Sequence, residues 1–241
     1  MVLLAVIPGI LLFLVVWKFD TVEKESPALL GKLFVFGALS ILAAILLRTI
    51  GVHAFTPLFG KNHNIWFLFV DSFVLTALIE EGLKFLVLKL TTWKNKEFNY
   101  TFDAIVYAVV VSVGFVVAEN IVYLIKYRGE IQPVKLILPV FGQIIISIFM
   151  GYFLGLAKFE EASGNVRDCK MHLAESFLVP FVMHGMFEFT WGAEKLALFI
   201  VFAIYVAAIT CIGIIGFVKL SRTDKMIPMS RTDKDSASEE W

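Results

Sequence analysis

The stretch Leu78-Ile79-Glu80-Glu81-Gly82-Leu83-Lys84-Phe85 lies inside an otherwise apolar run, residues 66–90. That run is long enough to cross a bilayer as a helix, which takes about 20 apolar residues. Each ionised side chain at the centre of a span costs about 2.5–3.5 kcal/mol on insertion scales. Two acids and a lysine here must therefore face a bundle interior or a water-filled cavity. Helical spacing pairs them: Glu80 and Lys84 are four apart and Glu81 and Lys84 three apart, so both pairs share a face. Adjacent carboxylates at low dielectric resist ionising together, so one is expected to hold a proton while the other stays charged. That division suits general acid–base chemistry.

Working outward, six more apolar segments appear, at 2–17, 29–50, 103–125, 134–157, 173–191 and 196–219. Hydrophobic residues make up 59% of the 241, charged residues 17%, and the mean hydropathy is +0.83. A soluble domain of this size could not hide so much apolar surface. All segments have helical length and none alternates like a barrel strand. The reading is an all-α polytopic transmembrane helical bundle of about seven spans, with an eighth weak segment as the alternative. It forms one domain over 1–220, followed by a polar tail over 221–241, expected to be solvated. The first segment lacks a charged leader and carries Pro8-Gly9, so an uncleaved, kinked or shallow span is expected.

Seven spans put the termini on opposite sides. Fourteen Lys and Arg then fall on the C-terminal side, against six (Arg48, Lys61, Lys126, Arg128, Lys135, Lys195) on the other. The positive-inside rule places the N-terminus outside and the C-terminus in the cytoplasm of a cell-membrane protein. Formal net charge is zero, which argues against a nucleic-acid partner. Cys169 and Cys211 lie in a polar loop and an apolar span, so neither a structural disulfide nor a cysteine metal site is expected.

Two further spans carry ionisable groups: Glu119 with Asn120, and His184 with Glu188. Four residues separate His184 from Glu188, so this carboxylate is expected to orient the imidazole. At about 1.5 Å per residue, Glu119, Gln143 and His184 lie roughly 10–15 Å from the outer ends of their spans. Glu80 shares that depth if Asp71 marks the outer boundary of its span, and lies about 20 Å in if Trp66 does. One polar layer in the outer half of the bilayer follows. The bland readings compete: Glu80–Lys84 as a neutralised packing pair, and Asn120 as a helix–helix hydrogen bond. Asp103 is expected to cap or flank the start of its helix, with Phe102 and Tyr107 as interfacial aromatics. Gly114, Gly142, Gly151 and Gly155 are expected to permit close helix approach.

The ordered series Ile7-Pro8-Gly9-Ile10, Glu80-Glu81-Gly82-Leu83-Lys84-Phe85, Phe102 to Tyr107, Gly114 to Asn120, Met150 to Gly155 and His184-Gly185 resembles the PrsW family of membrane-embedded proteases. These are relatives of the CAAX-prenyl endopeptidases, and the Glu-Glu-x-x-Lys spacing is similar to the family's own motif. Two positions depart from the pattern. Gln143 stands where the family is expected to carry histidine, and Glu188 where aspartate is more usual.

The resemblance implies intramembrane or juxtamembrane proteolysis. Its best-known form is the first cut in a single-span anti-sigma factor, starting an envelope-stress response. In a metal-free glutamate mechanism, Glu80 is the general base on water and Glu81 balances protons with Lys84. Glu119 then positions the water, Asn120 donates to substrate, and His184 serves the oxyanion or the leaving amine. In the zinc alternative, Glu80 or Glu81, Glu119 and His184 bind the metal. Three rivals remain: an impaired, scaffold-like relative marked by Gln143, a prenyl-protein endopeptidase, and a proton-coupled transporter.

Overall fold

The computed structural model describes residues 2–20, 22–59, 65–128, 130, 132–192 and 196–228. The expected charges Lys61 and Lys195, and the tail from 229 onward with Arg231 and Lys234, lie outside the described residues. Among those described, the chain forms seven helices and no strand. They are α1 (Val2–Phe19), α2 (Pro27–Phe59), α3 (65–92), α4 (Asp103–Lys126), α5 (Val134–Ala162), α6 (Val166–Gly192) and α7 (Leu196–Arg222). α3 is one rod in three parts, Ile65–Val70, a π-helical Asp71–Ala77 and Leu78–Thr92. The wide turn shows in Leu78 N–H bonding back to Phe73 O, five residues earlier.

Among the described residues, four helices are long and apolar enough to cross a membrane: α2, α4, α5 and, over Ile200–Arg222, α7. α1 is apolar but shorter, over Val6–Phe19, and runs unbroken through Pro8. α3 and α6 have the length of a span but are diluted by the ionisable groups that face inward. The chain is a helical membrane bundle with the seven segments its apolar runs foretell. α2 extends past its expected end to Phe59, and α6 begins earlier, at Val166.

α4 is the axis. Every residue from Thr101 to Val117 is buried, and α1, α2, α3 and α5 all pack on it. Small residues allow the close crossings. A Cβ at Gly37 would overlap the Val111 carbonyl, and one at Gly151 would overlap the backbone of Ile105. Outward faces stay apolar and exposed, with Leu42 at 63% and Ile215 at 67%, as a lipid-facing surface requires.

Loops 19–27 and 92–103 meet at one end of the bundle. Ser26 N and Oγ each donate to Glu97 at 3.0 Å. The start of the tail joins them through hydrogen bonds, while Thr223, Lys225, Met226 and Pro228 stay exposed. Ile227 N donates to Asn99 O at 2.7 Å and Thr101 N to Lys225 O at 3.0 Å. Asp224 Oδ1 accepts from Thr101 Oγ1 and Phe102 N, both at 2.9 Å. Phe102 and Tyr107 are not interfacial aromatics: both are buried, and the Tyr107 hydroxyl donates to Glu25. Asp103 caps the preceding turn rather than its own helix, accepting from Asn99 N at 3.0 Å and Tyr100 N at 2.7 Å. Free backbone donors of the 92–103 loop lie nearer than those of the first helical turn.

Candidate active site

Polar residues of α3, α5 and α6 converge in the interior. Glu80, Glu81, Lys84, Gln143 and His184 are each at most 6% exposed. Lys84 Nζ donates to Glu81 Oε1 at 2.5 Å and to Gln143 Oε1. His184 Nδ1 lies 2.7 Å from the same Glu81 oxygen. Gln143 Nε2 lies 3.4 Å from His184 Nε2. The four side chains close a ring.

That ring fixes a tautomer. An ammonium can only donate, so Lys84 turns the Gln143 carbonyl oxygen toward itself. The Gln143 amide NH2 then faces His184 Nε2, which must accept. Nδ1 therefore carries the proton and donates it to Glu81. The same Nε2 lies 4.0 Å from Glu80 Oε2 and 3.9 Å from Glu188 Oε1. Both separations exceed hydrogen-bond length. Glu81, not Glu188, orients His184. The i,i+4 carboxylate is the more exposed of the two, and the 2.7 Å contact with Glu81 already occupies Nδ1.

The two acids of the motif have different surroundings. Glu81 is fully buried between Lys84 and His184, with Oε2 unpartnered. Lys84 pairs with Glu81 rather than with Glu80, and its ammonium also lies over the Phe115 ring, 5.1 Å from the centroid. Glu80 instead lines a cavity of about 50 Å3 together with Glu119, Gln143, His184 and Glu188. One water needs about 10–15 Å3 by this measure, so the cavity has room for a few waters. The sequence reading missed Arg48 and Tyr123, which line the same space. Tyr123 follows Glu119 by four, a helical spacing that points to it. Arg48 was counted only as a loop-side charge. In the fold it bridges α2 to Asp71 of α3, Nη2 to Oδ1 and Oδ2 at 3.2 and 3.1 Å.

Asn120 turns away from the cavity. It is 1% exposed and its Nδ2 donates to Leu136 O of α5 at 3.1 Å, the helix–helix role. α3 is held to α6 by phenylalanines at helical spacing. Phe73 sits where a Cβ at Gly185 would overlap its ring, and stacks on Phe69 at 4.6 Å. Phe177 and Phe181 continue the contact toward Phe85. A π-turn often marks a functional site, and this one lies directly before Glu80.

Among the described residues, no group of three or more His, Cys, Asp or Glu side chains could hold a metal ion. Ligands at 2.0–2.1 Å around a tetrahedral zinc stand about 3.4 Å apart. The 3.9–4.0 Å gaps from His184 Nε2 to its carboxylates are wider than that. The zinc set of Glu80, Glu119 and His184 does not assemble as arranged. Both cysteines are free.

The family model described as "PrsW family intramembrane metalloprotease" matches residues 25–214. Protease PrsW of Geobacillus kaustophilus is 29% identical over 194 residues, covering 79% of each chain. Protease PrsW of Oceanobacillus iheyensis is 32% identical over 161 residues, 67% of this chain and 69% of its own. Protease PrsW of Clostridioides difficile is 29% identical over 208 residues, 85% and 84% of the two chains. No solved structure gives a significant match. With the family model spanning most of its length and relatives aligned over most of both chains, the chain belongs to the PrsW family of membrane proteases.

Proposed function

We propose that this protein makes the first cut in a single-span membrane protein of the anti-sigma-factor kind, with Glu80 activating water as general base. The reading rests on one observation above others: Glu80 faces the water-sized cavity while Glu81 is locked between Lys84 and His184. Ionised Glu80 takes a proton from water as the water oxygen attacks the scissile carbonyl. The proton then passes to His184 Nε2, 4.0 Å from Glu80 Oε2, as the Gln143 amide releases that nitrogen and turns to the oxyanion. The imidazolium so formed is stabilised by Glu81, and it protonates the leaving amine as the C–N bond breaks. Glu119 helps place the water. Arg48, Tyr123 and the Gln143 amide are the donors lining the cavity for the developing oxyanion. In this scheme Gln143 holds the tautomer that proton transfer needs, and so need not exchange a proton itself.

The family description names a metal, and the donors here do not fit a tetrahedral zinc as arranged. A water-sized cavity lined by Glu80 is what favours the glutamate route. The proposed setting is the cell membrane, with the N-terminus outside and the C-terminus in the cytoplasm. Glu80 then opens toward the outer half of the bilayer.

The test is cleavage of a co-reconstituted single-span anti-sigma factor by the unmodified chain, Glu80→Gln and Gln143→His. Cutting by the unmodified chain and a loss of about 10²–10⁴-fold in Glu80→Gln is expected. Full activity in Glu80→Gln would falsify the assignment. Cutting only after Gln143→His identifies the unmodified chain as an impaired relative. Stoichiometric zinc in the purified protein, lost on Glu119→Ala, sinks the metal-free route.

A further inference from the structure

A larger cavity adjoins the small one. A groove of about 400 Å3 between α2, α3 and α4 shares Arg48, Glu80, Glu119 and Tyr123 with it. The walls of the groove are apolar, built by Ile41, Ile45 and Val52 of α2, Leu75 of α3 and Val122 of α4. Its rim is basic, with Arg48, His53 and Lys126. α2 is an edge helix here: Leu42 and Leu46, beside the groove, are 63% and 61% exposed. At the other end of the bundle, loops 19–27 and 92–103 and the tail segment 224–227 are tied together by hydrogen bonds.

A carbonyl inside an intact helix is bonded to its own chain, so a segment to be cut must first unwind. Unwound backbone is tolerated at membrane depth only against protein or in a water-filled cavity. This groove provides protein walls and has Glu80 in its lining. Its rim also has a sign. Asp71 holds Arg48 in place through Nη2, and guanidinium groups pair carboxylates well.

Resting on the proteolytic reading, we propose that the α2–α3–α4 groove is the lateral entrance for an unwound substrate segment. The groove selects apolar side chains followed by an acidic flank that meets Arg48 and Lys126.

Disulfide trapping in liposomes tests this independently of cleavage. Cys169 and Cys211 are replaced by Ser in the Glu80→Gln protein. One cysteine is then placed by Ile45→Cys in the groove or by Leu86→Cys on an exposed face of α3, where Leu86 is 50% exposed. The probes are two designed single-span proteins with identical Leu/Ala spans and one cysteine at the outer boundary. One carries a three-glutamate flank, the other a three-lysine flank. The Glu-flanked probe should couple to Ile45→Cys about fivefold more than to Leu86→Cys, and about fivefold more than the Lys-flanked probe does, the size of one exposed ion pair. Lys126→Gln should narrow the second ratio. Equal coupling at both positions, or of both probes, overturns the inference. With Glu80 restored, cleavage without groove coupling also overturns it and leaves proteolysis standing. Coupling without any cleavage supports the entrance and counts against the protease reading.

Discussion

The molecule holds two buried acidic clusters, one at mid-bundle and one at the loop end, and they are satisfied in opposite ways. At the loop end, Asp103 accepts from two backbone N–H groups, Asp224 from Phe102 N and the Thr101 hydroxyl, and Glu97 from Ser26. These partners do not titrate, and their positions are set by the chain. At mid-bundle, Glu81 is answered by an ammonium and an imidazole, and Glu80 by open space. An acid matched by backbone donors is a fixed acceptor. An acid matched by titratable side chains and a cavity can pass protons. Burial alone does not separate the two, since Asp103 is as dry as Lys84. The identity of the partner does.

The sharpest way to break this contrast is Glu81→Gln. It leaves Lys84 buried without its carboxylate, and removing one partner of a buried ion pair costs about 3–5 kcal/mol. Adding Lys84→Met should restore most of that stability, because no uncompensated charge remains. Activity should stay lost in the double variant, since His184 no longer has the carboxylate that orients it. At the loop end, Asp224→Asn removes bonds to a charged group and should cost less, about 1.5–3 kcal/mol. Unfolding in mixed detergent micelles, read beside cleavage, checks the set. A loss below about 1 kcal/mol for Glu81→Gln shows that the lysine does not depend on this partner.

What could be read from the amino acids follows the same division. Apolar length located all seven helices, because a bilayer imposes a length on each. Depth counting brought Glu119, Gln143 and His184 to one layer, with Glu80 joining them only when counted from Asp71, and the fold places all four around one cavity. Which acid faces the cavity was less legible. The π-turn at Asp71–Ala77 widens the helix just before Glu80 and alters the register that regular α-helical counting assumes. Glu188 looked like the partner of His184 because i,i+4 geometry is local. Glu81 lies 103 residues away in sequence and has no local signal. The docking of 224–227 on the 92–103 loop depends on backbone donors, which composition does not display.

A second prediction concerns pH at the loop end. Burial pushes the Glu25 carboxyl up to about 7 against the hydrogen bond from Tyr107, and Asp20 up to about 6 against the charge of Lys24. Asp20, Glu97, Asp103 and Asp224 surround this end, with Lys24 the nearby cation. The folded chain keeps these protons to higher pH than the unfolded chain, whose glutamates titrate near 4.5. Stability should therefore fall as pH rises from about 4.5 to about 7, and level off above that. Thermal midpoints across this window should show the slope, and Glu25→Gln should flatten it. A slope unchanged in Glu25→Gln assigns the proton uptake elsewhere.

The smallest expected effect tests where the active cavity ends. Asn120 follows Glu119 directly, yet its amide is spent on the Leu136 carbonyl of α5. Side-chain hydrogen bonds between membrane helices average about 0.6 kcal/mol and reach about 1.7. Asn120→Ala should lower unfolding stability within that range and leave the cleavage rate per folded molecule unchanged. Glu119→Gln, one residue away, should do the reverse, because its carboxylate lines the cavity rather than a helix seam. If Asn120→Ala instead removes activity while stability holds, the amide leaves Leu136 when substrate enters. The boundary between scaffold and chemistry would then lie one residue further along α4.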